Sequence, residues 1–328
     1  MPCTLVTGGA GFIGSHLLRT MLHETTDRLV CLDNFNDFYS PEQKRQNVRL
    51  LQALDSYGRI SFVEGDFTNA ATVANLFEQH DIRRIVHLGA YAGVRYSVEN
   101  PGVYQHNNIY GTLVLLEACR DRPIERFLLI SSSTVYGKGA DVPFKEDGQL
   151  GIPASPYGAT KRAAELLGLT YQQLHGVPVV CIRPFSIYGP GLRPDLALSI
   201  FTSRIANGQP ITVFGDGSVR RDFTHVTDFC RGLLSALETR GIDGQCFNLG
   251  HGNPVVLSDL IGLLENAIGR TAVVHHQAAR PEDLDITFAD LERARKTLGF
   301  EPRIDIEAGI REYVDWFLSQ TPSSAKAA

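Results

Sequence analysis

Tyr157 and Lys161 have the spacing of an acid–base pair on one helix face. Residues i and i+4 lie on the same side of a helix, so the Lys161 ammonium is predicted to lie near the Tyr157 phenol. A free tyrosine has a pKa near ~10, and a nearby cation lowers that pKa because it stabilises the phenolate. The pair therefore predicts general acid–base chemistry, although the same spacing is common on surface helices that have no catalytic role.

A serine-rich stretch, 131–134, directly follows the apolar run 127–130. In an open parallel sheet, ligands bind at the carboxyl ends of the strands. Ser132 is therefore predicted to orient a substrate alcohol toward Tyr157. Without Tyr157 and Lys161, a structural serine-rich turn would be the preferred interpretation.

Gly8, Gly11 and Gly14 follow the first apolar run and open a predicted helix over 12–23. A tight turn without Cβ atoms lets the backbone approach a pyrophosphate at the helix N-terminus. Asp33 ends the next predicted strand, where its carboxylate can accept from the hydroxyls of an adenosine ribose and repel a 2′-phosphate. The sequence therefore predicts an NAD site and disfavours NADP, the alternative being a glycine-rich turn without a ligand.

Other polar residues allow two interpretations each. Asp66, after the third predicted strand, either contacts the adenine amine or caps the next helix. Arg95 is either a contact of a substrate loop or a surface charge. Lys44, Arg45 and Arg49 are predicted to form a solvated helix face.

Short apolar runs alternate with amphipathic stretches through the first two-thirds of the chain. The runs predicted to be buried strands are 29–32, 60–63, 84–88, 127–130 and 177–182. This alternation predicts an α/β fold, a Rossmann-type doubly wound parallel sheet with a smaller, mixed α/β C-terminal substrate lobe. The predicted division is a dinucleotide-binding domain at 1–183 plus 220–250, a substrate lobe at 184–219 plus 251–318, and a disordered tail at 319–328.

Composition narrows the possible classes of function. The chain has 328 residues, 43% apolar and 20% charged, with a net charge of −5. The acidic balance argues against a partner that is nucleic acid or a membrane surface, and no apolar run is long enough to span a bilayer. The six cysteines lack CxxC spacing, which favours free thiols in the cytoplasm. The pair His275 and His276 has no acidic residue at zinc spacing, so no metal site is predicted.

Together these motifs resemble the extended short-chain dehydrogenase/reductase family over nearly the whole chain. Within it the sequence is most similar to nucleotide-sugar 4-epimerases, and among those to UDP-glucuronate 4-epimerases. Three stretches carry this narrower resemblance, and they are 33–39, 92–97 and 188–195. The resemblance implies an NAD-dependent enzyme, a UDP-sugar substrate and a homodimer that pairs helices near 104–120 and 157–175.

The resemblance also implies roles for individual residues. Ser132 is the hydroxyl partner, Tyr157 the base and Lys161 its activator. The implied cofactor contacts are Gly8, Gly11, Phe12, Ile13, Gly14, Asp33, Asn34, Asp66, Phe67, Leu88, Ala90, Asn108, Tyr157, Lys161 and Pro184. The implied substrate contacts are Arg95, Ser132, Ser133, Thr134, Tyr157, Phe185, Ser186, Arg193, Val213, Phe214, Arg221, Arg280 and Asp283, of which Arg221 and Arg280 hold the diphosphate.

Arg193 has a particular significance if the substrate is a uronate. A C6 carboxylate is beta to a 4-ketone, so the intermediate of 4-epimerisation is prone to lose CO2. A guanidinium fork at Arg193, helped by the Ser186 hydroxyl, is predicted to hold the carboxylate out of alignment. Uronate epimerases tend to have Thr at position 186, so Ser is a departure; the alternatives for Arg193 are a surface charge or a diphosphate contact.

Several other functions fit parts of the same sequence. Epimerisation of UDP-glucose or UDP-N-acetylglucosamine, or decarboxylation of UDP-glucuronate, would use the same architecture. Dehydratases of this kind carry an Asp-Glu pair where this chain has Ser133 and Thr134. A non-catalytic NAD-binding regulator is an alternative of a different class, and the presence of Ser132, Tyr157 and Lys161 argues against it.

Overall fold

The computed structural model describes residues 3–280 and 283–320. Its first half alternates strands and helices, as the apolar runs predict. The elements are β1 (Cys3–Thr7), α1 (Phe12–Glu24), β2 (Arg28–Asp33), α2 (Pro41–Leu54), β3 (Ile60–Glu64), α3 (Ala70–Gln79), β4 (Ile82–His87), α4 (Val94–Glu99), α5 (Pro101–Tyr104), α6 (Gly111–Cys119), β5 (Arg126–Ile130), α7 (Pro156–His175) and β6 (Val179–Pro184). A π-helical stretch, Gln105–Tyr110, joins α5 to α6, and a 3-10 turn, Ser133–Val135, follows β5.

The second half contains shorter strands. Its elements are β7 (Ile187–Tyr188), α8 (Ala197–Ala206), β8 (Ile211–Phe214), β9 (Arg220–Asp222), β10 (Thr224–His225), α9 (Val226–Glu238), β11 (Cys246–Leu249), β12 (Pro254–Val256), α10 (Leu257–Ile268), β13 (Val274–Gln277), β14 (Ile286–Thr287), α11 (Glu292–Leu298) and α12 (Ile306–Gln320). The predicted α/β fold class, with a doubly wound parallel sheet and a smaller mixed lobe, is confirmed.

Seven strands form one parallel sheet in the order β3-β2-β1-β4-β5-β6-β11. The chain leaves β1 toward β2 and β3 on one side, then returns to place β4 on the other side. This reversal lies between β1 and β4, and it opens a crevice at the carboxyl ends of these strands where ligands of such sheets bind. The predicted ligand-binding edge of the sheet is therefore defined by topology.

Each strand contributes to the apolar cores on both faces of the sheet, because successive side chains point to opposite sides. Val6 and Leu128 pack in one core with residues of α1 and α9. Their chain neighbours Leu5 and Phe127 pack in the other core, against residues of α6. Burial on both faces is the reason that these strands read as continuous apolar runs.

The smaller lobe is built from three short sheets. β9 pairs with β12 and β14, β8 pairs with β13, and β7 pairs with β10. The buried Asp222 carboxylate joins three segments of this lobe, because it accepts from the backbone N–H groups of His251, Gly252 and Ala289. Residues 220–222 thus pair with strands of the smaller lobe, and the predicted division at 183, 219 and 250 stays a prediction.

Two predictions concern the chain's end and membranes. α12 ends at Gln320, so residues 319 and 320 of the predicted disordered tail are helical, and the rest of that tail lies outside the described residues. Among residues 3–280 and 283–320, no helix has the length and apolarity that crossing a bilayer requires.

A buried ion pair ties α7 to the sheet. Arg183 Nε and Nη2 on β6 each donate to a carboxylate oxygen of Glu165 on α7, both at 2.9 Å. Both side chains are only 4% exposed. Because α7 carries Tyr157 and Lys161, this pair fixes the height of the candidate acid–base groups above the sheet.

We expect Glu165→Ala to lower the free energy of unfolding by about 3–5 kcal/mol, because it leaves the Arg183 guanidinium buried without its partner. Chemical denaturation measures this change. Glu301→Ala is the matched control, since it removes one carboxylate from the exposed Glu301–Arg295 pair, which is worth at most about 1 kcal/mol. Equal destabilisation by the two variants would contradict the structural role of the buried pair.

Candidate active site

The glycine turn between β1 and α1 leaves no room for side chains. A Cβ on Gly14 would lie 2.3 Å from the Gly8 carbonyl oxygen and 2.6 Å from the Gly9 Cα. Gly8 has φ +67°, in the left-handed region that favours glycine. The turn therefore places bare backbone at the N-terminus of α1, as predicted from the sequence.

The Asp33 carboxylate at the end of β2 joins this turn to the next loop. It accepts from the Ala10 N–H at 3.2 Å and from the Phe35 N–H at 2.9 Å. Lys44 Nζ lies 3.9 Å from Asp33 and donates to the Asn36 backbone oxygen at 3.0 Å and to its side chain at 2.7 Å. Burial raises the pKa of Asp33, and the Lys44 charge opposes that rise.

Lys44 corrects one sequence prediction. It was expected on a solvated helix face with Arg45 and Arg49, but its side chain is only 6% exposed. The loop before α2 folds back over this helix, so Asn36 covers the ammonium and Tyr39 contacts it through its ring at 4.9 Å. Arg45 and Arg49 are exposed, as predicted.

A cleft opens at the carboxyl ends of β1, β2 and β4. The predicted cofactor residues that line it are Gly8, Gly11, Phe12, Ile13, Gly14, Asp33, Asn34, Phe67, Leu88 and Ala90. It is also lined by Asn36, Phe38, Tyr39, Lys44, Gly89, Tyr91, Asn107 and Arg193, of which only Arg193 was predicted as a site residue. The cleft thus extends from the glycine turn to Arg193.

A chain of hydroxyl groups leads to the Tyr157 phenol. Thr134 Oγ1 and its N–H donate to Ser132 Oγ, at 2.9 Å and 3.2 Å. The Ser132 hydroxyl in turn lowers the pKa of Tyr157, which favours the phenolate. Thr134 holds Ser132 through the 3-10 turn that follows β5, and the predicted role of Ser132 in orienting a substrate alcohol toward Tyr157 stays a prediction.

The pKa shifts of Tyr157 and Lys161 differ from those that the sequence predicts. Burial raises the pKa of Tyr157, and the groups that oppose this rise are the Ser132 hydroxyl and the Arg193 guanidinium. Burial lowers the pKa of Lys161 to about 8, while the carboxylate of Glu165 raises it. Ser132 and Arg193 thus favour the phenolate of Tyr157 against the larger effect of burial, and the predicted activating role of Lys161 stays a prediction.

Arg193 lies in the loop between β7 and α8 and reaches the cleft from the smaller lobe. Its Nε and Nη2 donate to the two carboxylate oxygens of Asp195, at 2.9 and 2.8 Å. Its guanidinium lies over the Phe38 ring at 5.4 Å. Arg193 thus places a positive charge beside both the cleft and Tyr157.

The predicted nucleotide contacts gather around Phe214 at the end of β8. The guanidinium of Arg280 lies 3.7 Å from the centre of the Phe214 ring, and that of Arg95, on α4, lies 4.8 Å from it. Arg95 contacts this ring from an exposed position, so both of its interpretations, a contact of a substrate loop and a surface charge, stay open. Val213, the neighbour of Phe214, is buried in the core.

Arg221, the predicted diphosphate contact, lies on β9, where the charge of Asp283 acts on it. Burial lowers the pKa of Arg221, and Asp283 opposes this. Asp283 lines a second cavity with residues 137–140, outside the main cleft. Ser186 adopts φ +31°, a strained conformation for a residue with a Cβ, two residues beyond Pro184, which ends β6.

The sequence profile of the NAD dependent epimerase/dehydratase family matches residues 4–250. The chain belongs to this family. The match spans the glycine turn, Asp33, the serine-rich strand end and Tyr157, so the residues that build the cleft are those of an epimerase/dehydratase.

Individual members of the epimerase/dehydratase family are similar over the whole chain. UDP-glucuronate 4-epimerase of Thermodesulfobacterium geofontis is 39% identical over 313 residues, 95% of each chain. The crystal structure of UDP-glucuronic acid 4-epimerase from Bacillus cereus, with UDP-glucuronic acid and NAD, has a TM-score of 0.91 at 35% identity and covers 97% of this chain and 100% of that chain. UDP-glucose 4-epimerase of Thermotoga maritima, with UDP-glucose, has a TM-score of 0.87 at 29% identity over 97% and 99% of the two chains.

The predicted cofactor residues Asp66 and Asn108 both make hydrogen bonds within the protein. Asp66 accepts from the Thr68 N–H and hydroxyl and from Asn34, and α3 is capped by Asn69, so the helix-cap alternative is wrong. Asn108 is buried and exchanges two hydrogen bonds with the Tyr91 backbone.

Phe185 is fully buried and packs against both Tyr136 and Phe144, so its side chain belongs to the core. Phe185 was predicted as a substrate contact because it lies one residue beyond Pro184. Alternate residues along a strand point to opposite faces, and the Phe185 side chain points into the core. Ser133 is likewise buried. The Phe185 side chain is therefore closed to a ligand, whereas Ser133 is about as buried as Ser132 and its predicted substrate contact stays a prediction.

Sequence reasoning missed the loop and helix residues that complete the cleft. Asn36, Phe38 and Tyr39 stand in the stretch 33–39 that carried the family resemblance, which was a usable signal. Asn107 is the chain neighbour of the predicted Asn108. Both residues lie in the π-helical stretch, whose wider turn changes which side chains point toward the cleft.

We expect Gly14→Ala to abolish dinucleotide binding and to lower the melting temperature, because the new methyl group would collide with backbone of the glycine turn. Absorbance of the purified protein and thermal unfolding measure the two effects. Gly262→Ala in α10 is the control, since its Cβ meets nothing within 4 Å and alanine favours a helix by roughly 0.5–1 kcal/mol. Retention of bound dinucleotide by Gly14→Ala would contradict the assignment of this turn.

Proposed function

We propose that the protein is an NAD-dependent nucleotide-sugar 4-epimerase that converts UDP-glucuronate to UDP-galacturonate through a transient 4-keto sugar. The observation that carries the proposal is that the Arg193 guanidinium lines the cleft and lowers the pKa of the Tyr157 phenol, as the Ser132 hydroxyl also does. An acid–base group serves the sugar O4, and the adjacent cation matches a carboxylate on C6.

The residues of the cleft fit NAD. The glycine turn offers backbone N–H groups to a pyrophosphate, and the Asp33 carboxylate can accept from ribose hydroxyls. When bound, NAD supplies the acceptor for hydride from the sugar C4 and the donor that returns it. Lys44 offsets the charge of Asp33 in the same cleft, which limits electrostatic repulsion between Asp33 and the pyrophosphate.

Tyr157 performs the proton transfers in this proposal. As phenolate it takes the proton from the sugar O4. As phenol it gives the proton back after the 4-keto sugar has rotated in the pocket to present its opposite face. Thr134 donates to the Ser132 hydroxyl, and this hydroxyl lowers the pKa of Tyr157 and so favours the phenolate. Return of hydride to the opposite face inverts C4, so the reaction causes no net oxidation.

Arg193 protects the intermediate. Decarboxylation is easiest when the C5–C6 bond aligns with the π system of the 4-ketone. A guanidinium that engages both oxygens of the carboxylate holds this bond out of alignment, helped by the Ser186 hydroxyl. At positions 133 and 134 this chain has Ser and Thr, and it therefore lacks the acidic pair that water elimination requires.

The test is incubation of the purified protein with UDP-glucuronate and without added cofactor, followed by NMR and mass spectrometry. Formation of UDP-galacturonate at unchanged mass supports the proposal. Loss of CO2 as the main outcome would indicate a decarboxylase, and turnover of UDP-glucose or UDP-N-acetylglucosamine alone would indicate a neutral-sugar epimerase. Bound NAD without turnover of any of these nucleotide sugars would favour a regulatory protein.

We further propose that the protein acts in the cytoplasm and as a homodimer. All six cysteines are free, and five of them are buried. Apolar side chains are exposed at Tyr110, next to α6, and at Leu166 and Leu174 on α7, which supports pairing of these helices between two subunits. Sedimentation analysis tests this: a monomer at micromolar concentration would contradict the proposed dimer.

A further inference from the structure

Arg193 is held by a carboxylate of its own loop. The bonds from Nε and Nη2 to Asp195 use one edge of the guanidinium. A guanidinium has five N–H donors, so three remain for other acceptors. A bidentate pair of this kind also fixes the plane of the guanidinium.

The backbone favours this pairing. Residues 193–196 form a turn in which the Leu196 N–H donates to the Arg193 carbonyl oxygen at 3.4 Å. Pro194 occupies the second position of the turn, where its fixed φ is favourable. The side chains of Arg193 and Asp195 are 18% and 31% exposed. Because the two residues are held two positions apart and partly shielded from water, little conformational freedom is lost when they pair.

Asp195 lies near the start of α4. Its Oδ2 atom is 4.0 Å from the position of a Cβ added to Gly93. The guanidinium that Asp195 holds lines the cleft and lowers the pKa of Tyr157. The pair therefore joins the start of α4 to a charge that acts on the acid–base group.

We propose that Asp195 is a positioning residue for the uronate carboxylate. It fixes the guanidinium plane of Arg193, so that the remaining N–H donors hold the C6 carboxylate out of alignment with the 4-ketone. This inference rests on the proposed function and deepens it. Arg193 binds the substrate, and Asp195 determines the angle at which it does so.

The consequence of losing this angle is a defined side reaction. If the C5–C6 bond aligns with the ketone, that bond breaks and CO2 leaves. The electron pair moves into the 4-ketone to form an enolate, and C5 then takes a proton from water. The product is a UDP-4-keto-pentose, and hydride return to it gives a UDP-pentose with no net change in the oxidation state of the cofactor.

The experiment compares Asp195→Ala, Asp195→Asn and the wild type on UDP-glucuronate. Mass spectrometry gives the ratio of decarboxylated to epimerised product, and initial rates give KM and kcat. We expect Asp195→Ala to raise the decarboxylated fraction several-fold and to increase KM, with Asp195→Asn between it and the wild type, since the amide oxygen still accepts one bond from Arg193. Asp81→Ala is the control, because Asp81 pairs with Arg83 at the same two-residue spacing on an exposed surface.

Three results would overturn the inference. An unchanged product ratio in Asp195→Ala would leave Asp195 without a positioning role while the proposed function stands. A lower KM would show that Asp195 competes with the substrate carboxylate for Arg193. If the wild type forms no UDP-galacturonate, the proposed function itself fails and the inference fails with it.

Discussion

Tyr157→Phe is expected to lower kcat on UDP-glucuronate by about 10²- to 10⁴-fold, the range that a general acid–base group contributes. The substitution removes the phenol oxygen and keeps the ring, which packs edge-on against Tyr104 at a centroid distance of 6.0 Å. Stability and bound dinucleotide are therefore expected to stay close to those of the wild type. Initial rates, absorbance of the bound cofactor and thermal unfolding measure the three quantities.

Tyr171→Phe is the matched control for this prediction. Tyr171 stands on the same helix, α7, and its hydroxyl bonds to Glu117 and not to any residue of the cleft. Removal of that hydroxyl is expected to leave turnover unchanged. Near-normal turnover by Tyr157→Phe would contradict the assignment of the acid–base group.

Arg193→Leu is expected to lower kcat/KM on UDP-glucuronate by about ten- to a hundred-fold. The substitution removes hydrogen bonds from a charged group to the substrate, each worth about 1.5–3 kcal/mol, and about 1.4 kcal/mol corresponds to ten-fold in rate. A UDP-pentose by-product is expected as well, because the carboxylate is no longer held. Initial rates and mass spectrometry measure both effects.

A second variant and a second substrate make this result specific. Arg193→Lys keeps the positive charge and loses the planar fork, so it is expected to retain part of the binding and to release CO2. Any turnover of UDP-glucose, which has no carboxylate, is expected to fall less than turnover of UDP-glucuronate. Equal losses on the two substrates would contradict a carboxylate role for Arg193.

Local patterns predicted the parts of the site that local backbone geometry determines. The glycine turn, Asp33 at the end of β2 and the serines after β5 were predicted because each depends on a strand end and on residues within a few positions of it. The α/β fold class followed from apolar runs that are buried on both faces of the parallel sheet. The short strands of the smaller lobe, two to four residues long, show no period of their own.

Predictions failed where a contact depends on how distant segments fold over one another. Lys44 has the sequence context of an exposed helical residue, and it is buried only because the loop from Asn34 to Ser40 closes over α2. Phe185 stands beside the site in sequence, but strand alternation turns its side chain into the core. The Arg193–Asp195 pair is local and was not predicted, because the interpretations of Arg193 from the sequence were a carboxylate contact, a diphosphate contact or a surface charge.

The pKa of Tyr157 depends on the charges and hydroxyl groups around it and not on the tyrosine–lysine spacing alone. Burial raises the pKa of Tyr157, which disfavours the phenolate, and Ser132 and Arg193 act against it. Lys161 is buried next to Glu165, which stabilises the ammonium. The reactivity of Tyr157 is therefore coupled to Arg193, the residue that also binds the proposed carboxylate.

Deuterium at C4 of UDP-glucuronate tests most directly whether hydride leaves and returns within one site. The labelled substrate is incubated in ordinary water with the purified protein, and the product is examined by NMR. The account predicts UDP-galacturonate that retains deuterium at C4. Product with hydrogen from water at C4 would contradict it, because inversion would then proceed by loss and gain of a proton.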